Sequence, residues 1–260
     1  MPATPAWPPQ STPRLFVEPP LVAGPRVIEG PQAHYLAQVM RARPGDPVKL
    51  FDGVSGEWLA VVTELGKRAL TLDLREALRP VERVPDLWLC VAPLKKGRID
   101  WVAEKACELG VARLVPVITQ RTMVDRLNGD RLFAHMVEAA EQCGRTAVPE
   151  LAEPVRLAAL LKAWPAGRAL FFADESGGEA AAPAMAARPA AAAILIGPEG
   201  GFTAEERAAI RALPQAVAIG LGPRILRADT AAAAATALWM ASAGDWAADG
   251  APPGTLGKAS

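Results

Sequence analysis

Two glycine-bearing stretches are the places where this sequence could do chemistry. In the first, "ILIGPEGGFTAEE" at residues 194–206, an apolar run stops at Gly197, and two more glycines follow closely. Glycine loses more conformational freedom on folding than any other residue, so this cluster indicates that something approaches the backbone closely. Thr203 and Glu206 have the spacing of a capping box and predict a helix start. The stretch therefore predicts a strand–loop–helix joint at the carboxyl edge of a parallel sheet, where open α/β folds bind ligands.

The second stretch, "AIGLGPRILRADT" at residues 218–230, repeats this arrangement. Neither stretch has the Lys-Ser/Thr pair of a phosphate-binding loop, and Glu199 in the first would repel phosphate. The second has two glycines of a dinucleotide fingerprint but Ile225 at the third position. Two such loops could instead hold a flat ring between their backbones, as in an adenosine without phosphate, or they could be only tight turns. Because the two loops are expected at the ends of neighbouring strands and Arg224 and Arg227 follow directly, a binding site is the favoured interpretation.

The elements before residue 80 are short. Strands are predicted at "RLFV", "DPVKLFDG", "EWLAVVTEL" and "RALTLDLRE", a pattern typical of a small barrel. Residues 31–41, "PQAHYLAQVMR", predict a single helix with Leu36, Val39 and Met40 on one side. Residues 79–85 contain two prolines and are interpreted as a linker.

Beyond the linker, strands and helices alternate. "LWLCVAPL" at 87–94 is typical of a buried parallel strand, and "RIDWVAEKACELG" predicts a helix that ends at Gly110. Further strands are predicted at "RLVPVI", "RALFFA", "AAAILI" and "QAVAIG", with helices near 131–143 and 230–242. This alternation predicts an α/β domain with a parallel sheet.

Composition excludes several classes of protein. Acids and bases number 28 each, so binding to nucleic acid would need local basic patches. Three scattered cysteines and two histidines argue against a disulfide framework or a metal site. No apolar run approaches the roughly 20 residues of a membrane span, and no secretory signal is evident, so we expect a cytoplasmic protein. Residues 1–13 and 244–260 are predicted to be disordered tails.

The two glycine stretches resemble the signature loops of the RsmE family, 16S ribosomal RNA uridine N3-methyltransferases of the SPOUT superfamily. Three other segments resemble the family in the same order: "KKGRIDWVAEKACELGV" at 95–111, "QRTMVDR" at 120–126 and "EAAEQCGRTAVPEL" at 138–151. The segment "HYLAQVMRARPGDPVKLFDG" resembles the family's PUA-like RNA-binding barrel. The resemblance covers about residues 14–242.

This resemblance implies a PUA-like barrel at 14–80 and a SPOUT-type α/β methyltransferase domain with a deep trefoil knot at 86–243. It also implies S-adenosyl-L-methionine as cofactor, the 16S RNA of the small ribosomal subunit as substrate, and a homodimer. The residues implied to bind the cofactor are Leu195, Ile196, Gly197, Glu199, Gly200, Gly201, Leu221, Gly222, Ile225, Leu226 and Arg227. This chain departs from the family at Asp229 and Gln120, where glutamate is usual, and the reach of the acid at 229 is changed.

Methylation of uracil N3 requires loss of the imide proton and stabilisation of the resulting anion. Arg227 is the candidate for stabilising the anion; the alternative is a salt bridge at the start of the last helix. Candidate proton acceptors are Glu141 and Asp229, with Glu199 as a third, and direct loss of the proton to water is also open. The basic residues predicted to bind RNA are Arg41, Arg43, Lys95, Lys96, Arg98, Arg121 and Arg145.

Two other functions remain open at this stage. A non-catalytic RNA-binding or ribosome-assembly protein could retain the barrel without the chemistry. A related SPOUT methyltransferase could act on another RNA or another atom, such as a ribose 2′-hydroxyl.

Overall fold

The computed structural model describes residues 12–66, 68–124 and 126–247. Their contacts divide the chain into two compact units. The N-terminal unit comprises the chain up to Arg83 together with Ala140–Ala147, and the C-terminal unit comprises Val84–Ala139 and the chain from Val148 onward. Of the predicted tails, residues 1–11 and 248–260 lie outside the described residues, whereas Asp245–Ala247 forms a short 3-10 turn.

The N-terminal unit is built on a five-stranded sheet. Its strands are β1 (Arg14–Phe16), β2 (Gly24–Glu29), β3 (Pro47–Phe51), β4 (Glu57–Leu65) and β5 (Ala69–Arg79). In spatial order they run β1-β3-β4-β5-β2, and only the β1–β3 pair is parallel among the described pairs. Leu70, Leu72 and Leu74 of β5 alternate into the core of this unit. β1 and β2 are the ends of this order, so hydrogen bonds between described strands do not close the predicted barrel.

The helix predicted at 31–41 is present at residues 30–39, but its second half is not a regular α-helix. Helix α1 (Gly30–His34) gives way to a π-helical turn at Tyr35–Val39, in which the Met40 amide donates to the Tyr35 carbonyl five residues back. The wider turn changes which side chains share a face. Leu36 is fully buried, but Val39 is 62% exposed instead of joining it in the core.

Arg14 shows why Ala140–Ala147 belongs with the N-terminal unit. Its guanidinium donates to the carbonyl oxygens of Ala140, Glu141 and Arg145 and also pairs with the Glu57 carboxylate. Burial alone would raise the pKa of Glu57, but hydrogen bonds and charge from Arg79 and Arg14 outweigh it and hold that pKa below its usual value.

The C-terminal unit contains an eight-stranded sheet, and its described strand pairs are all parallel. Its strands are β6 (Leu87–Val91), β7 (Arg113–Ile118), β8 (Glu150–Leu151), β9 (Val155–Arg156), β10 (Ala169–Ala173), β11 (Glu179–Ala180), β12 (Ala192–Ile196) and β13 (Ala216–Gly220). Its helices are α2 (Arg98–Glu108), α3 (Gly129–Cys143, whose last turn belongs to the other unit), α4 (Leu157–Lys162), α5 (Ala181–Ala186), α6 (Ala204–Arg211) and α7 (Ala228–Ser242). The predicted α/β fold with a parallel sheet is confirmed.

The order of strands explains how the two glycine stretches are placed. The sheet runs β11-β13-β10-β12-β6-β7-β8, with β9 paired to β7. The stretches follow β12 and β13, which were predicted to be neighbours, but β10 lies between them. This prediction was therefore wrong, and the chain that follows β10 is brought between the two stretches.

In the described part of the chain, no helix has the length and apolar character needed to span a membrane.

Candidate active site

A cavity of about 400 Å³ lies between the two glycine stretches in the C-terminal unit. One wall is the first loop, which we define as residues 197–202, and another is the second loop, residues 221–227. The third wall comes from the chain after β10, at residues 173–177. The volume is within the usual range for small-molecule sites, which is about 300–1,000 Å³.

The first loop is fixed to the fold by a capping box. The Glu206 amide donates to Thr203 Oγ1 at 3.2 Å, and the Thr203 amide donates to Glu206 Oε2 at 3.1 Å. Glu206 Oε1 also accepts a bond of 2.7 Å from the Gln120 amide. The capping box was expected from the spacing of Thr203 and Glu206, and the bond from Gln120 additionally joins the buried Glu206 carboxylate to the chain after β7.

Two residues of the first stretch that were implied to bind the cofactor do not line the cavity. Leu195 is fully buried within β12. Gly200 lies against Arg121, whose Nη1 donates to the Gly200 carbonyl at 2.6 Å. A Cβ at Gly200 would meet the Arg121 side chain at 3.4 Å, an ordinary van der Waals contact, so packing at this position does not require glycine.

The second loop is more exposed than the first. Ile225 is 87% exposed, and Gly222 has a φ of +106°, with nothing within 4 Å of the position a Cβ would take. Within the described chain, neither Arg224 nor Arg227 has an acidic partner within 4 Å. Arg227 is the N-cap residue of α7, but its side chain makes no capping hydrogen bond. The alternative of a structural salt bridge for Arg227 is therefore not what the structure shows.

The remaining implied cofactor residues all line the cavity. They are Ile196, Gly197, Glu199, Gly201, Leu221, Gly222, Ile225, Leu226 and Arg227.

The third wall was missed by the sequence analysis. Asp174 and Glu175 follow β10 directly and line the cavity, together with Arg207 from α6. Asp174 accepts from Arg211 Nη2 at 2.8 Å and lies 3.4 Å from Arg207 Nε. Burial alone would raise the pKa of Asp174, but hydrogen bonds from Ser176 and Arg211 and the charge of Arg207 hold it below its usual value. The signal that could have indicated this wall is a pair of acids, Asp174 and Glu175, directly after a predicted parallel strand.

Arg98, predicted to bind RNA, lies beside the cavity. It is the first residue of α2, and its Nη1 is 3.7 Å from Glu199 Oε1, while its Nε is 3.9 Å from Asp229 Oδ2. Lys95 and Lys96 precede it and are exposed. The structure thus brings the first loop, the start of α7 and the basic segment before α2 to one place.

Two predicted residues have roles in the N-terminal unit instead. Glu141 Oε1 accepts from the Phe16 amide at 2.9 Å. Arg145 is only 6% exposed, and its Nε donates to Glu82 Oε1 at 3.0 Å, so the expectation that it is an exposed RNA contact was wrong. Arg41 and Arg43 are exposed on this unit, as RNA contacts would require.

No disulfide joins the cysteines in the described part of the chain. Cys90 and Cys107 are buried, and Cys143 is partly buried. Full burial raises the pKa of Cys90 to about 12, against the opposing charges of Arg168 and Arg113, so its thiol stays neutral. Among the described residues, no cluster of His, Cys, Asp and Glu could hold a metal ion.

Comparison with known proteins identifies the family. An RNA methyltransferase domain model matches residues 82–240, and an RNA methyltransferase PUA domain model matches residues 28–75. Ribosomal RNA small subunit methyltransferase E of Rickettsia conorii is 31% identical over 207 residues, which cover 78% of this chain and 84% of that protein. The enzyme of the same name from Mycobacterium tuberculosis is also 31% identical, over 84% of this chain and 90% of its own length.

The chain belongs to the ribosomal RNA small subunit methyltransferase E family.

Solved structures agree with this assignment. The Neisseria gonorrhoeae ribosomal RNA small subunit methyltransferase E, bound to S-adenosyl methionine, matches with a TM-score of 0.83 and 27% identity, over 90% of this chain and 99% of that one. A putative methyltransferase from Legionella pneumophila in complex with the same cofactor matches with a TM-score of 0.81 and 28% identity, with the same coverage. The predicted family is confirmed, and both domains of the resemblance are found along the chain.

Proposed function

We propose that this protein transfers a methyl group from S-adenosylmethionine to N3 of a uridine in the RNA of the small ribosomal subunit. Membership of the family supplies the reaction class. The observation that carries the proposal is the cavity, because both signature loops line it, together with Arg227, which has no acidic partner within 4 Å among the described residues.

The cavity fits the proposed cofactor. Ile196, Phe202 and Leu221 supply apolar walls, and glycine backbone between them leaves room for a flat ring to approach. Glu175 and Glu199 supply negative charge on the lining, as a ligand that carries a sulfonium cation and an amino group requires. When bound, S-adenosylmethionine supplies an electrophilic methyl group on sulfur and is left as a neutral thioether after transfer.

Arg227 provides the positive charge that the uracil needs. When the N3–H bond breaks, its electron pair spreads over the imide and onto O2 and O4, and then forms the new bond from N3 to the methyl carbon. Arg227 is exposed, lines the cavity and has no acidic partner within 4 Å among the described residues. A fixed cation placed where charge develops stabilises the transition state rather than the ground state.

We infer that Asp229 accepts the N3 proton. It lies two residues from Arg227 in the first turn of α7, and its Oδ2 faces Arg98 at 3.9 Å. Asp229 and Glu141 each accept one backbone hydrogen bond, from Thr230 and Phe16, but Glu141 is less suited because its bond is to the N-terminal unit, whereas Asp229 lies beside Arg227. The uracil edge must reach Asp229, so the uridine would be presented unpaired or flipped out of any helix.

RNA binding is assigned to exposed basic residues on each unit. On the C-terminal unit these are Lys95, Lys96, Arg98 and Arg121. On the N-terminal unit they are Arg41 and Arg43. Because phosphate contacts release counterions, binding should weaken steeply as salt is raised. An enzyme that acts on this RNA would work in the cytoplasm.

We also infer a deep trefoil knot and a homodimer, as the family resemblance implies. The order of strands is compatible with threading, since the chain passes from β12 on one side of β10 to β13 on the other before α7. Trp101 on α2 is 39% exposed and is the kind of apolar side chain that a second copy would cover. Light scattering tests the dimer, and tracing the chain in a crystal structure with cofactor tests the knot.

The proposed function is tested by methyl transfer to ribosomal RNA that lacks the modification. Purified protein is incubated with labelled S-adenosylmethionine and small subunits, or their isolated RNA, from a strain deleted for the enzyme. Digestion to nucleosides and mass spectrometry should reveal one N3-methyluridine per subunit. Label on a ribose hydroxyl or another base would overturn the assignment of the reacting atom. Binding of RNA without any transfer would favour a non-catalytic protein.

A further inference from the structure

Arg98 is shared between two acids rather than bound to either one. Its distances of 3.7 Å to Glu199 and 3.9 Å to Asp229 are longer than a hydrogen bond. All three side chains are partly exposed, at 36%, 40% and 20% for Arg98, Glu199 and Asp229. An exposed pair of this kind contributes little to stability. Arg98 can therefore leave these acids without breaking a fixed bond.

An RNA phosphate is the competing partner that the surroundings of Arg98 favour. Lys95 and Lys96 are exposed directly before it, so three cations stand within four residues at the start of α2. Arginine pairs with phosphate through two parallel hydrogen bonds, which its present contacts with the acids do not provide. A phosphate that engages the two lysines would also attract Arg98.

Departure of Arg98 leaves a negative charge on the cavity lining. The other acids of the lining, Asp174 and Glu175, keep arginine partners from α6, whereas in the described part of the chain Glu199 has Arg98 as its cationic partner within 4 Å. The cations that remain on the lining are Arg207, Arg224 and Arg227. A positively charged ligand in the cavity can then take the place of Arg98 beside Glu199.

We propose that Arg98 is a positioning residue that couples RNA binding to selection of the charged cofactor over its neutral product. The RNA withdraws Arg98 from Glu199 and Asp229, and the sulfonium cation of S-adenosylmethionine gains Glu199 as its counter-charge. S-adenosylhomocysteine carries no sulfonium charge and gains nothing. Once the methyl group has left, this gain is lost, so the product is held less tightly than the cofactor while RNA is bound. This inference rests on the proposed function, because it needs both the RNA and the cofactor.

Calorimetry of both ligands, with and without RNA, tests the coupling. The RNA is a small-subunit fragment that already carries N3-methyluridine, so that no transfer occurs during the titration. For the wild type, RNA should tighten binding of S-adenosylmethionine about tenfold and leave S-adenosylhomocysteine nearly unchanged. By linkage, S-adenosylmethionine should tighten binding of the RNA by the same factor.

Arg98→Ala gives the sharpest outcome. This variant should bind S-adenosylmethionine without RNA as tightly as the wild type does with RNA, and adding RNA should tighten it no further. Its salt slope for RNA should fall by about 0.7, the value for one phosphate contact to a single strand. Unchanged affinity for S-adenosylhomocysteine shows that the cavity is intact. Glu199→Gln should also abolish the effect of RNA, but S-adenosylmethionine should bind weakly to this variant both with and without RNA.

Three variants separate this coupling from general charge effects. Arg98→Lys keeps the positive charge, so RNA should still tighten binding of S-adenosylmethionine and not of S-adenosylhomocysteine. Lys96→Ala should weaken RNA binding, but saturating RNA should still tighten binding of S-adenosylmethionine and not of S-adenosylhomocysteine. Glu108→Gln removes an acid from the same helix and releases Lys105 instead of Arg98, so the coupling should persist.

An RNA-dependent gain in S-adenosylmethionine affinity that survives in Arg98→Ala or in Glu199→Gln overturns the coupling. Failure of the proposed function has a different signature, which is a wild-type protein that transfers no methyl group to any ribosomal RNA.

Discussion

The first and second loops look alike in sequence but are held very differently. The capping box of Thr203 and Glu206 and the bond from Arg121 fix the first loop. The second loop exposes Ile225, and Arg227 has no acidic partner within 4 Å among the described residues. The first loop is therefore fixed before any ligand binds, whereas the second loop carries an arginine that is available to contact a ligand. We infer that the first loop serves recognition and that the second serves the reaction.

Arg227→Ala should produce the largest effect, because it removes the cation from the second loop. We expect single-turnover methyl transfer to fall about 10²–10³-fold, as for loss of one group that stabilises a developing anion. Affinity for S-adenosylmethionine should change only a few-fold, since most of the cavity lining remains. Rapid-quench transfer assays and calorimetry measure the two quantities.

Arg224→Ala is the matched control, since Arg224 lies on the same loop, also lines the cavity and is also without an acidic partner within 4 Å in the described chain. It should slow transfer much less than Arg227→Ala. Equal losses would show that the second loop acts through its total charge and not through one placed cation.

Alanine at a single glycine of each loop tests the difference in rigidity. A Cβ at Gly197 would lie 3.1 Å from the ring of Phe202, which is buried at 5% exposure and cannot move freely. Gly197→Ala should lower the free energy of unfolding by about 1–3 kcal/mol, the usual cost of overpacking. Denaturant titration measures this loss.

Gly222→Ala should behave in the opposite way. Its φ of +106° strains alanine, but its Cβ would meet nothing within 4 Å, and the loop around it can adjust. We expect a smaller loss of unfolding free energy than for Gly197→Ala. If both variants lose stability equally, the second loop is as fixed as the first.

Sequence patterns were sufficient for the elements and insufficient for their arrangement. The apolar run at Leu87–Val91 and the helical spacing of α2 were predicted because local periodicity records burial on one face. The π-helical turn at Tyr35–Val39 was not, because its hydrogen bonds depart from the regular period that the prediction assumed. The position of β10 between β12 and β13 was also missed, since strand order depends on long-range pairing that no local pattern contains.

The same limit explains what was missed in the cavity. Both loops could be found because their glycines stand close together in the sequence. The third wall was overlooked because Asp174 and Glu175 lie far from the loops in sequence, and only the placement of β10 brings them there. Arg145 looked like an RNA contact because a charge pattern does not reveal burial, and its partner Glu82 is 63 residues away.

Thr203→Ala should loosen the first loop by removing half of its capping box. The loss of the bond to the Glu206 amide should lower the free energy of unfolding by about 1 kcal/mol. Thr203→Ser keeps the oxygen and should recover most of that loss. Because the first loop leads directly into α6, cofactor affinity should fall along with stability in Thr203→Ala. Unchanged affinity would show that the capping box does not affect ligand binding in the cavity.

The smallest expected effect is a pH dependence at Asp174, which ties the third wall to α6 through Arg207 and Arg211. Its pKa is below the ordinary value of 3.8 in the folded protein, so the folded state favours the charged form. The stability it contributes is fully present above pH 3.8 and is lost as pH falls through the lower folded pKa. Asp174→Asn should therefore be less stable than the wild type at pH 6, by an amount that shrinks as the pH falls below 3.8. Unfolding curves at pH 6 and pH 3 measure this gap, and a gap that stays constant would mean that hydrogen-bond geometry at Asp174 matters more than its charge.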